Sequence, residues 1–206
     1  MSNTTSLDNL EHSAIDKDLK PFKIVLVGDG GTGKSSFVDR LNDGGYRKEY
    51  VATIGFEEHK IQASTSVGNI EIIIYDTAGQ ENSGPLRDHY YKGADAAILF
   101  FDVTSRITYK NIPQWHKDIT RVCSNIPIAL CANKVDIESS FRKVKSKNIL
   151  YHTKYDMGFF EISVKEQLRL KDPVEYILQK LLKDDALKIT ESLGTLIYEN
   201  FNSLNL

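Results

Sequence analysis

Four short apolar runs limit how this chain can fold. FKIVLVG starts at Phe22, IEIIIYD ends at Asp76, AAILFFDV covers 96–103 and IPIALCAN covers 126–133. Each is near strand length and almost continuously apolar, the pattern of a strand covered on both faces. Helical patterns lie between them. SSFVDRL follows the first run, and YKNIPQWHKDITRVC precedes the fourth, with Trp115, Ile119 and Val122 on one face. Buried strands alternating with helices imply right-handed crossovers and a mainly parallel sheet with helices on both sides. EEHKIQA, 57–63, is expected as an antiparallel edge strand, pairing with 70–76 through a turn near Gly68-Asn69. With MGFF, 157–160, as one more short run, a six-stranded α/β sheet in three layers follows. Ligands of such sheets bind beyond the carboxyl ends of the strands, so the loops leaving each run are where chemistry is to be sought.

The bulk composition excludes several classes. With 206 residues the chain suits one α/β domain with short tails. A formal charge of -2 supplies no overall basic field for nucleic acid or an anionic membrane. Cys123 and Cys131 sit in apolar surroundings and read as small buried hydrophobes. No segment approaches the length of a spanning helix, residue 2 is Ser rather than the Gly of N-myristoylation, and the ending SLNL has no cysteine to prenylate. A soluble protein without a membrane anchor is expected. Residues 1–20 are polar and read as a flexible tail, 21–183 as the folded domain, and 184–206 as an extension whose spacing of Leu187, Leu193, Ile197 and Phe201 allows a helix. RKVKSK, 142–147, reads as a solvated helix face. His116 and His152 are expected near the surface, and the five histidines lack metal-ligand spacing.

The first run exits into GDGGTGKSS, 28–36, which matches G-x-x-x-x-G-K-[ST] between a strand and a helix. The plainer alternative is a glycine turn that merely caps a helix. The Lys-Ser pair at the required offset favours an anion cradle, in which Asp29, Gly30, Gly31, Thr32, Gly33, Lys34, Ser35 and Ser36 wrap phosphates at a helix N-terminus. Lys34 is suited to neutralise phosphate charge and Ser35 to ligate Mg²⁺. A cradle alone leaves ATPases, nucleotide kinases and GTPases open. The fourth run exits into NKVD, where Asn133, the stem of Lys134 and the Asp136 carboxylate meet at one strand end. Asp136 can accept hydrogen bonds from the N1–H and 2-amino groups of guanine, a pair adenine lacks. EISVKE offers backbone N–H groups at Ser163, Val164 and Lys165 for the guanine O6. In DTAGQE, Asp76 is placed to hold the Mg²⁺ shell through water, Gly79 to expose its N–H to a terminal phosphate, and Gln80 to orient an attacking water. Thr53 in YVATIGFEE supplies a hydroxyl for the metal and an N–H for the γ-phosphate.

Together these elements resemble the small Ras-like GTPases over roughly residues 21–183. VGDGGTGKSSFV, EYVATIGFE, DTAGQE with LRDHYY, and the block FDVTSRITYKNIPQWHKDITRVCSNIPIALCANKVD from Phe101 to Asp136 resemble the Ran-like GTPases of nuclear transport. The resemblance implies a P-loop NTPase fold and a monomer that binds GTP or GDP with Mg²⁺. It also implies slow hydrolysis without an activating protein, an exchange factor, importin- or exportin-like receptors, and residence in nucleus and cytoplasm. It places Tyr46 near the guanine. The chain differs from that pattern in three places: NSGP where the family carries a phenylalanine, HTKY at 152–155 where it carries a basic cluster, and a tail without the acidic run. A Rab-like trafficking switch and a GTP-binding scaffold that does not cycle are the alternatives.

Overall fold

The computed structural model describes residues 20–42, 53, 55–77, 85–191 and 193–195, without the side chains of 85–87, 194 and 195. The expectations for the N-terminal tail, Tyr46, Gly79, Gln80, the loop at 82–84 and the last residues of the chain lie outside that description.

The first apolar run is strand β1, Phe22–Val27. Its side chains alternate between two cores. Ile24 and Leu26 join a cluster with Phe37, Val38, Val174, Ile177 and Leu178, whereas Val25 and Val27 join one with Leu99, Phe101, Tyr91, Trp115 and Ile119. Both faces are therefore dry, which is why the run shows so little polar alternation. The helix after it is α1, Lys34–Leu41. The other strands are β2, Phe56–Thr65, β3, Gly68–Thr77, β4, Ala96–Asp102, β5, Ile128–Asn133, and β6, Gly158–Glu161. A two-residue strand, β7, covers Gly194–Thr195. The remaining α-helices are α2, Pro85–Tyr91, α3, Arg106–Lys110, α4, Ile112–Val122, α5, Tyr151–Lys154, and α6, Lys171–Leu182.

The sheet order is β6-β5-β4-β1-β3-β2-β7. β1 is parallel to both β3 and β4, and β4, β5 and β6 continue in parallel. The strands entered after β1 thus fall first on one side of it and then on the other. Its carboxyl end is the switch point of the sheet, the crevice where such folds bind ligands.

The six expected strands form, and β2 is the antiparallel one, paired with β3 from Phe56 opposite Thr77 to Thr65 opposite Gly68. The turn falls at Ser66-Val67, just before Gly68-Asn69, because Thr65 closes it early. Its hydroxyl donates to the Gly68 carbonyl at 2.6 Å and accepts the Val67 N–H at 3.2 Å. The sheet edge belongs to β7, which pairs antiparallel with β2 at Ile61 and Gln62.

That strand comes from the C-terminal extension. Instead of a helix, its described part runs extended beside the β2–β3 hairpin. The Ser66 N–H donates to the Lys188 carbonyl and the Thr190 N–H to that of Ser64, at 2.8 and 2.9 Å. Leu187 and Leu193 are buried with Ile61 and Ile70, so their spacing serves packing along an extended chain. RKVKSK likewise forms no α-helix. The Lys143 and Val144 N–H groups both donate to the Val103 carbonyl, and buried Val144 pins the loop to the end of β4.

Both cysteines are buried as expected, Cys123 donating to the Tyr91 carbonyl at 2.9 Å. Burial pushes the Cys131 thiol up, far from its reactive range. Among the described residues no helix is long and apolar enough to cross a membrane.

Candidate functional site

The loop from Gly28 to Gly33 leaves β1 at the switch point, and its curvature requires glycine at two places. Gly28 has φ 146, and a Cβ there would lie 2.3 Å from the Phe100 carbonyl oxygen. Gly33 has φ 98, and its Cβ would lie 2.3 Å from Asn133 Nδ2. Gly30 and Gly31 form the outer turn, Gly31 at φ 73. Thr32 is buried and its hydroxyl donates to the Asp29 carbonyl at 2.8 Å, closing the loop on itself.

Gly33 also starts α1 without capping it by a side chain. The Phe37 N–H returns to the Gly33 carbonyl at 2.9 Å, so the N–H groups of Lys34, Ser35 and Ser36 precede the first intrahelical bond. Such donors, at the positive end of a helix, suit an anion. Lys34 is 5 % exposed and donates to the carbonyls of Gly28 and Asp29 at 2.9 and 3.1 Å. Burial lowers it to about 8, against the opposing pull of the Asp76 and Asp29 carboxylates. A phosphate facing it would favour the charged form and raise its pKa again.

Ser35 of α1, Asp76 of β3 and Thr53, which precedes β2, come together. Ser35 Oγ and Thr53 Oγ1 are 2.9 Å apart, and Thr53 Oγ1 lies 3.4 Å from Asp76 Oδ2. Asp76 is fully buried, and burial raises its pKa despite the hydrogen bond from Ser35 and the charge of Lys34. Its Oδ1 has no hydrogen-bond partner among the described residues. A buried carboxylate oxygen left unsatisfied beside two hydroxyls is a donor set for a hard, oxygen-seeking cation. The residues fit Mg²⁺, which would be held by Ser35, Thr53 and Asp76 and would neutralise phosphate charge.

The base loop is built around Asn133. Its Nδ2 donates to the Thr32 carbonyl at 2.8 Å, while its Oδ1 accepts the N–H of Lys134 at 2.7 Å and of Val164 at 3.1 Å. One buried amide thus joins the NKVD loop, the phosphate loop and the loop after β6. Lys134, at φ 70, donates to the Gly31 carbonyl at 2.9 Å and pairs with Asp102 Oδ2 at 2.7 Å. Asp136 accepts from Ser163 Oγ at 2.7 Å, with Lys165 Nζ 3.7 Å from its other oxygen. The loop after β6 divides the three backbone donors expected to face the guanine O6. The Ser163 N–H donates to the Leu168 carbonyl and the Val164 N–H to Asn133, so of the three backbone donors the Lys165 N–H is the one left without a protein acceptor among the described residues.

Two groups at the site carry no motif in the sequence. Asp102, Asn111 and Trp115 brace these loops from behind, as the contacts of Lys134 and Asp29 show. Phe56, Tyr75 and Tyr90 form an aromatic row, with Phe56 stacked on Tyr75 at 5.1 Å and against Tyr90 at 4.8 Å. Nothing local in the sequence links Asp29 to a tryptophan 86 positions away.

A phosphate loop at the switch point, a hydroxyl and carboxylate set beside it, and a base loop sharing Asn133 define a P-loop nucleotide-binding protein. A family model described as the Ras family matches residues 23–183. The chain belongs to the Ras family, the GTP-binding small GTPases that act as switches.

Proposed function

We propose that this chain is a Ran-like GTPase that governs passage between nucleus and cytoplasm by binding importin- or exportin-like receptors in its GTP state. The carrying observation is the block from Phe101 to Asp136, whose similarity to Ran-like sequences extends far beyond the NKVD motif. The same block folds as the end of β4, then α3, α4 and β5 behind the nucleotide site.

In this reading GTP lies along the loop from Asp29 to Ser36, with Mg²⁺ at Ser35, Thr53 and Asp76. Guanine is read by Asn133, Lys134, Asp136 and the Lys165 N–H, and Tyr46 packs beside it. Gln80 orients the attacking water, and the Gly79 N–H senses the γ-phosphate. Turnover is slow alone and rises with an activating protein; arginine fingers on related GTPases give about 10³ to 10⁵. An exchange factor reloads the site. Loss of the γ-phosphate releases the segments holding Thr53 and Gly79, an order-to-disorder switch.

The test is an affinity capture from cell extract with Gln80→Leu loaded with GTP beside wild type loaded with GDP. Receptors of the importin or exportin class on the GTP-loaded variant alone support the proposal. Other partners, or the same set on both, contradict it.

A further inference from the structure

Asp29 is the second residue of the phosphate loop, and its two ends face opposite ways. Its backbone carbonyl lies inside, accepting from Lys34 Nζ at 3.1 Å and Thr32 Oγ1 at 2.8 Å. Its carboxylate turns outward to the joint between α3 and α4. There Oδ2 accepts from Asn111 Nδ2 at 2.7 Å, and Oδ1 accepts from the Trp115 indole Nε1–H at 2.6 Å.

An acid in a loop that wraps polyphosphate carries charge of the wrong sign. Two donors behind the loop hold that charge on the far side and fix the backbone carrying it. Both are held firmly themselves. The carbonyl of Asn111 accepts the N–H groups of Gln114 and Trp115 at 3.0 and 3.1 Å, which locks the bend between the helices. Trp115 is 7 % exposed and packs in the cluster containing Val25, Leu99 and Ile119. Its indole N–H therefore has little freedom to follow a moving loop.

The same pair of helices reaches the base loop. Thr108 of α3 donates to the Asp102 carbonyl at 3.2 Å and accepts the Asp102 N–H at 3.0 Å, and Asp102 holds Lys134. The phosphate and base loops thus share one support.

We propose that Asn111 and Trp115 are positioning residues that clamp the phosphate loop through Asp29 and set how long guanine nucleotide stays bound. This deepens the GTP-binding reading and rests on it.

The test is GDP release in the presence of Mg²⁺ from the full chain, comparing wild type, Trp115→Phe, Asn111→Ala, Asp29→Ala and the Asp29→Ala, Trp115→Phe double variant. Phenylalanine keeps the packed ring and removes only the N–H. A hydrogen bond to a charged group is lost, so release from Trp115→Phe should quicken about 10-fold. The double variant should release no faster than the faster single variant, because one contact joins the two residues. Asn111→Ala, at a partly exposed position, gives the same reading should the tryptophan variant fail to fold. Trp115 is the only tryptophan, so its single indole N–H resonance reports the contact directly and should shift in Asp29→Ala. Release at the wild-type rate from both clamp variants, effects of Asp29→Ala and Trp115→Phe that multiply, or an indole resonance unmoved by Asp29→Ala would overturn the clamp. A wild-type chain that retains no GDP would overturn the site and the clamp with it.

Discussion

Lys134 Nζ lies 2.7 Å from Asp102 Oδ2 and 2.9 Å from the Gly31 carbonyl, so one side chain ties the base loop to both the phosphate loop and the end of β4. In Lys134→Met both contacts are lost, and among the described residues the Asp102 carboxylate keeps only the Thr104 donors to its other oxygen. Hydrogen bonds to charged groups are worth about 1.5–3 kcal/mol, so GDP affinity should fall roughly 10-fold or more. Titration calorimetry measures this, and wild-type affinity would show that the tie does not shape the site.

Gly33→Ala should be among the most damaging single changes. It forces a Cβ to 2.3 Å from Asn133 Nδ2 at φ 98. Displacing that amide breaks its link to Thr32. A backbone held in the left-handed region adds about 1–3 kcal/mol of strain. A lowered thermal midpoint together with lost GDP binding is expected; retention of both would mean that the loop adjusts without loss.

Removal of divalent cation should loosen the nucleotide, since Asp76 Oδ1 is buried without a hydrogen-bond partner among the described residues. The thermal midpoint should rise with GDP and Mg²⁺ and rise less with GDP and a chelator. Ser35→Asn, which lacks the hydroxyl, should abolish the difference. A stabilisation by GDP that ignores Mg²⁺ in the wild type would argue against Ser35, Thr53 and Asp76 as the metal set.

The pH dependence follows from Lys34. Burial lowers its pKa to about 8, and bound phosphate favours the charged form and raises it. Binding therefore takes up a proton above that value. Affinity for GDP should be flat below pH about 8 and fall above it, by at most about tenfold per pH unit. Lys34→Met should bind weakly and lack this component of the slope. Equal slopes in the two proteins would remove Lys34 as the titrating group.

Much of this site is local in sequence, and that part was legible. The loop of glycines, the Lys-Ser pair and NKVD each place their chemistry within a few residues of a strand end. The hairpin strand and the two-faced burial of β1 also followed from residue order. The extension after Asp184 did not, because Leu187 and Leu193 suit either a helical face or an extended strip, and only the edge of β2 decides. Asp29, Asn111 and Trp115 were hidden for a related reason: their meeting depends on how α4 packs across the sheet. The spending of the Ser163 and Val164 N–H groups on protein acceptors likewise arises from contacts between loops distant in sequence.

The most direct test of the central claim is an equilibrium titration of the purified chain, stripped of nucleotide, with GDP and separately with ADP in Mg²⁺. The arrangement of Asn133, Asp136 and the Lys165 N–H over the phosphate loop predicts one GDP bound per chain and no measurable ADP. Comparable binding of both nucleotides, or of neither, would contradict a guanine-specific switch.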